Sequence, residues 1–146
     1  MKKRILIADD EAALLKTMAF TLKRKGYETK TFIDGIGAFE EITEEFKNNL
    51  LYDLIITDIQ MPEMSGEKLI MKIREAGIET PILAISGFGN KKIVENLNGL
   101  GCNDFLDKPF YMNEFLDRIS KLLKTEKIKK NADGKILPGC TKGETK

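Results

Sequence analysis

Five polar side chains stand where short apolar runs of this sequence end. Asp9 and Asp10 follow the run at 5–8, Asp58 follows 54–57, Ser86 follows 82–85, and Lys108 comes two residues after Leu106. If those runs are parallel strands of one sheet, their carboxyl ends share an edge, which is where ligands of open α/β sheets collect. Three carboxylates gathered there repel and raise one another's pKa unless a cation neutralises them. Hard oxygen donors select Mg²⁺, with Mn²⁺ as the alternative, and Mg²⁺ held by one or two carboxylates keeps waters that a phosphoryl oxygen displaces. Lys108 adds a fixed cation and Ser86 a hydroxyl donor, so the set describes a phosphoryl-binding pocket. Asp58 is its natural nucleophile, because an aspartyl carboxylate can accept a phosphoryl group as an acyl phosphate. Asp9 and Asp10 would hold the metal, and Lys108 would balance the charge opposite them.

The elements that must position these groups follow from periodicity. Apolar runs alternate with amphipathic stretches through residue 124, the pattern of five βα units around a parallel sheet. The run at 5–8 has the continuous apolar character of a central strand. The helix after it carries Leu15, Met18, Ala19 and Leu22 on one stripe and closes at Gly26. Residues 27–32 alternate like an edge strand. Asp34 then caps a helix predicted to bury Ile36, Phe39, Ile42 and Phe46 and to leave Glu40, Glu41, Glu44 and Glu45 as a solvated face. Pro62 and Gly66 mark the turn beyond Asp58, and a helix with Leu69, Ile70 and Ile73 follows. Gly87, Gly89, Gly99 and Gly101 are expected to bracket a short fourth helix around Ile93 and Leu97, weakly anchored and therefore mobile. The last helix carries Phe115, Ile119, Leu122 and Leu123 at three-and-four spacing.

Composition removes other chemistries. The 146 residues contain no histidine, which excludes histidine-based triads and imidazole metal sites. The net charge of +1 lacks the basic footprint of a nucleic-acid binder, so no direct nucleic-acid contact is expected. No run is long enough for membrane insertion, and Cys102 and Cys140 form no CxxC pair, so the reading is a cytoplasmic chain with reduced thiols. Gly35-Ile36-Gly37 and Gly87-Phe88-Gly89 lack the third glycine of a dinucleotide fingerprint. Residues 125–146 carry a net +3 and leave −2 for the rest; this lysine-rich tail reads as disordered beside a domain at 1–124. Taken singly, the Asp pair could cap a helix, Ser86 could be a turn hydroxyl, and Phe105 could be core packing.

Asp9-Asp10, the segment Asp58-Ile59-Gln60-Met61-Pro62-Glu63-Met64-Ser65-Gly66, Ile85-Ser86-Gly87 and Asp104-Phe105-Leu106-Asp107-Lys108-Pro109-Phe110 together resemble the receiver domain of bacterial two-component response regulators, over roughly residues 3–124. The resemblance implies a flavodoxin-like (βα)5 doubly wound sandwich, with a parallel sheet in the order 2-1-3-4-5 and helices on both faces. It implies Asp58 as phosphoacceptor and Mg²⁺ on Asp10, Asp58 and the backbone carbonyl of Gln60, with Asp9 assisting through water. Ser86 and Lys108 would contact the phosphoryl oxygens, Ser86 and Phe105 would be the switch pair, and Pro109 would be cis. Gln60 and Phe88 would flank the route of the hydrolytic water. The function implied is a stand-alone, chemotaxis-regulator-like switch in phosphorelay signal transduction, not an enzyme, though it would assist its own phosphotransfer and slow dephosphorylation. A sensor histidine kinase or phosphotransfer protein would act on it. The face of the fourth helix, fifth strand and fifth helix would signal to a downstream protein target, with the chain a monomer or weak dimer. An aspartyl-phosphate phosphohydrolase and a pseudo-receiver needing no phosphate are the competing readings.

Overall fold

The computed structural model describes residues 2–87, 89 and 91–125. Phe88, Cys140 and the tail at 126–146 lie outside the described residues. Among the described residues, five strands and five helices alternate: β1 (Arg4–Ala8), α1 (Ala12–Arg24), β2 (Glu28–Phe32), α2 (Gly35–Lys47), β3 (Leu54–Asp58), α3 (Gly66–Glu75), β4 (Ile82–Ser86), α4 (Lys91–Leu100), β5 (Asp104–Asp107) and α5 (Met112–Thr125). All strand pairs are parallel and the sheet order is β2-β1-β3-β4-β5, the flavodoxin-like order anticipated above.

The reason for this order is written in burial. β3 and β4 are buried at every position, and β1 at all but Arg4, so these three need cover on both faces and take the centre. β2 is largely exposed and takes an edge. Side chains alternate across the sheet. Ile5, Ile7, Leu54, Ile56, Leu83 and Ile85 face α1 and α5, where Met18, Leu22, Phe115 and Ile119 meet them. Leu6, Ile55, Ile82 and Ala84 face the other way, toward Ala38 and Ile42 of α2, Leu69, Ile70 and Ile73 of α3, and Leu97 of α4. Each helix runs back against its strand, so the strands' carboxyl ends open together at one edge.

Three expectations need correction. α2 is turned relative to the expected stripe: Ala38 and Ile42 are buried, while Ile36 and Phe46 are 39% and 38% exposed and Phe39 only packs at the margin of the core. The small Ala38 lets α2 sit close on the sheet, and bulk at 36 and 46 then falls outside. Two of the four glutamates on the expected solvated face are engaged: Glu41 accepts from the Tyr52 hydroxyl at 2.6 Å, and Glu45 pairs with Arg4, whose guanidinium also stacks 4.3 Å from the Tyr52 ring centre. Gly99 lies inside α4 instead of flanking it; Gly101, at φ 101°, is the residue that ends the helix. Leu97 is the only residue of α4 that is fully buried.

Candidate functional site

The strand ladders determine which side chains meet. The β1–β3 ladder ends with Ala8 opposite Thr57, so Asp9 and Asp58 leave adjacent strands side by side. Asp58 lies opposite Ile85, one residue before Ser86, and Ser86 lies opposite Asp107, one residue before Lys108. The Lys108 N–H donates to the Ser86 carbonyl at 2.9 Å, which ties the β5 exit to β4. The Lys108–Pro109 peptide is cis, as anticipated. Beyond Asp58 the chain turns back sharply: the Gly66 N–H donates to the Ile59 carbonyl at 2.8 Å, and a Cβ at Gly66 would overlap the Asp58 carbonyl oxygen. Glycine is therefore required at the start of α3 for the loop to pass over the end of β3.

The edge holds a cavity of about 330 Å³ lined by Asp10, Glu11, Asp58, Gln60, Ser86, Gly87 and Lys108. Asp58 is 5% exposed and Ser86 1%. Asp58 Oδ1 accepts from the Gln60 N–H at 3.3 Å, and its Oδ2 accepts from Lys108 Nζ at 3.1 Å. Asp9 is fully buried; its Oδ1 accepts from the Glu11 N–H at 2.8 Å. Asp9 Oδ2 lies 3.3 Å from Lys108 Nζ, a Coulombic approach without hydrogen-bond alignment, so this oxygen has no hydrogen-bond partner among the described residues. A larger cavity, about 580 Å³, adjoins at Asp10 and Gln60 and is lined by Ile59, Met61, Pro62 and Ile93. It lacks Asp58, Ser86 and Lys108, so the chemistry belongs to the smaller one.

Electrostatics follow from this packing. Burial pushes the Asp9 carboxyl up to about 6; the Glu11 N–H opposes the rise, the Asp58 carboxylate adds to it, and Lys108 opposes it. For Lys108, partial burial acts downward, but the hydrogen bond to Asp58 and the charges of Asp9 and Asp58 outweigh it and raise the pKa. One carboxylate oxygen each from Asp9, Asp10 and Asp58 lie within 4.8 Å of one another. A buried acceptor without a donor, beside two more carboxylates and one ammonium, fits a hard divalent cation by the chemistry of its donors.

All five strand-end residues thus come together, and Gln60 lines the same cavity. Phe105 does not: it is half-buried on the α3 side of the sheet, opposite Ala84. Because registered neighbours point to the same face, Phe105 and Ser86 share that face two residues apart along the strand direction. A Cβ at Gly89 would run into the Phe105 ring. Sequence reasoning missed Glu11, whose Oε1 is 3.2 Å from Lys108 Nζ. Its signal was its place directly after the Asp pair at a strand end.

The chain matches the family described as response regulator receiver domain over residues 5–120. It is 35% identical over 118 residues to the transcriptional regulatory protein DltR of Streptococcus agalactiae serotype III, a match covering 80% of this chain and 50% of that protein. Among solved structures, the receiver domain of the Francisella response regulator 1452 superposes with a TM-score of 0.76 at 28% identity, over 86% of this chain and 100% of that one. The chemotaxis protein CheY4 of Vibrio cholerae gives 0.76 at 25% identity, over 84% and 99%. The chain spans about half the length of the curated relatives it matches. With a strand order, a carboxylate cluster and a sequence match that coincide over the same residues, this chain belongs to the response regulator receiver domain family of two-component systems.

Proposed function

We propose that this domain is a Mg²⁺-dependent phosphoacceptor switch, phosphorylated on Asp58 by a partner histidine kinase or phosphotransfer protein. The observation that carries the reading is the pairing of a buried Asp58 with Lys108 Nζ at 3.1 Å, beside two further carboxylates. An Asp58 carboxylate oxygen attacks phosphorus, the P–N bond to the donor imidazole breaks, and the imidazole leaves with the bonding pair and takes up a proton. Asp10, Asp58 and the Gln60 carbonyl, with Asp9 through water, would hold the cation, which when bound neutralises charge on the phosphoryl oxygens. Lys108 supplies a second positive charge, and Ser86, at the cavity wall, a hydroxyl for a phosphoryl oxygen.

The signal leaves through α4, β5 and α5. Drawing the Ser86 hydroxyl toward the phosphoryl group vacates space on the face that Phe105 shares, and the ring can follow it; the weak anchoring of α4 makes that helix the responsive element. The readout is a downstream protein rather than nucleic acid, since the charge of the chain is nearly balanced. No helix of the described residues is long and apolar enough to cross a membrane; the working form in this reading is a cytoplasmic monomer or weak dimer. It is a signalling domain and not an enzyme. Incubating the protein with Mg²⁺ and acetyl phosphate should add the mass of one phosphoryl group, removable by hydroxylamine. Asp58→Asn should abolish it. Wild-type labelling in that variant refutes the assignment, and steady release of phosphate from monoesters would make the domain a phosphohydrolase.

A further inference from the structure

An ammonium has three N–H donors, and around Lys108 Nζ stand three carboxylates: Asp58 at 3.1 Å, Glu11 at 3.2 Å and Asp9 at 3.3 Å. They differ in surroundings. The side chains of Asp9 and Asp58 are 0% and 7% exposed, that of Glu11 60%. Nζ donates hydrogen bonds to Asp58 and Glu11 and only approaches Asp9, and a phosphoryl group on Asp58 enters the same cavity and draws the ammonium toward one of its oxygens, which weakens its hold on the carboxylates around it. Asp58 gives up its own charge in becoming the acyl phosphate, whereas Asp9, whose side chain is fully buried, is left as an uncompensated charge in the protein interior if it loses the ammonium. Glu11 has water at hand to replace it. Charge points the same way: Asp9, Asp10, Glu11 and Asp58 set four negative charges against one ammonium, and a divalent cation still leaves the pocket negative by one.

Resting on the phosphoacceptor reading of Asp58, we propose that Glu11 is a positioning residue which holds Lys108 in the resting state and competes with the incoming phosphoryl anion for it. Its carboxylate slows reaction with anionic donors and lowers the steady-state phosphorylated fraction. Glu11 stands at the N-cap of α1 but makes no side-chain capping bond, so replacing it breaks no cap hydrogen bond.

The test compares the full chain with Glu11→Gln, which keeps an acceptor for Lys108 and deletes the charge. Glu40→Gln, on the exposed side of α2, is the charge control. Phosphorylation rates are measured in Mg²⁺ with acetyl phosphate, a dianion, and phosphoramidate, which carries less negative charge, at low and high salt. For Glu11→Gln the acetyl phosphate rate should rise about fivefold at low salt, less with phosphoramidate, and fall toward wild type at high salt, as expected for one partly screened charge at the mouth of the cavity. Glu40→Gln should match wild type, and all melting temperatures should agree. A Glu11→Gln rate equal to or below wild type with both donors, or a rise insensitive to salt and donor charge, overturns the role of Glu11. If wild type takes up no phosphoryl group, or Asp58→Asn takes up as much, the phosphoacceptor reading falls and the role of Glu11 with it.

Discussion

Replacing Asp9 by Asn, with magnesium chelated, turns the crowding of the site into a measurable stability. Asp9 is fully buried and its carboxyl is raised from 3.8 to about 6, so the folded protein binds this proton more tightly than the unfolded chain does. The sign follows by linkage: where the native state holds the extra proton, stability falls as pH rises, and the loss is complete above the folded pKa. A rise of this size corresponds to about 3 kcal/mol above both pKa values, and to about 2 kcal/mol between about pH 4.5 and pH 7.5. Asn does not titrate, so wild type should lose about 2 kcal/mol relative to Asp9→Asn across that interval. An Asn amide in place of Oδ2 faces Lys108 and shifts the difference between the two proteins by a constant amount, so the quantity measured is the pH dependence of that difference. Urea unfolding at both pH values, in chelator, measures it. Mg²⁺ at one fixed concentration should stabilise wild type more than Asp9→Asn at the higher pH, because binding to the native state adds stability as the logarithm of the ligand concentration over its dissociation constant, and the variant lacks one carboxylate of the cluster. A difference that stays constant with pH to within about 0.5 kcal/mol would show that Asp9 is not the strained group in this pocket.

Gly66→Ala should destabilise the fold by about 2–4 kcal/mol and prevent phosphorylation, because the new Cβ overlaps the Asp58 carbonyl oxygen and lies 2.8 Å from the Ile59 Cα; urea melts and the mass assay check both effects. Asn103 Oδ1 accepts from the Ile82 N–H at 2.8 Å and from Arg74 Nη2 at 3.0 Å. Asn103→Ala should therefore cost about 1–3 kcal/mol in thermal or urea unfolding, whereas Asn103→Asp, which restores an acceptor opposite Arg74, should recover most of it.

Much of the fold was legible because the two periodicities differ in kind. Continuous apolar runs at 5–8, 54–57 and 82–85 have no reading as half-exposed strands, and the helices at 12–24 and 112–125 present unbroken stripes. The candidate site was legible for a topological reason: parallel strands joined by helices bring all their carboxyl ends to one edge, so the residues that end the runs become neighbours whatever separates them in the chain. α2 was misread because three-and-four spacing allows more than one apolar stripe on a helix bearing Ile36, Ala38, Phe39, Ile42 and Phe46; close approach to the sheet selected Ala38 and Ile42.

Chain order and residue type by themselves determined the strand and helix alternation and the convergence of Asp9, Asp10, Asp58, Ser86 and Lys108. Only the tertiary structure decided which oxygen each donor meets. It put Glu11 on Lys108, Glu45 on Arg4, Glu41 on Tyr52, and Asn103 at the mouth of β4. Those partnerships depend on side-chain directions from elements far apart in sequence, where a shift of a few ångströms exchanges one partner for water. Burying a long apolar run does not depend on such detail, because the hydrophobic effect is non-directional and scales with area; a hydrogen bond needs its two atoms aligned within about 3 Å.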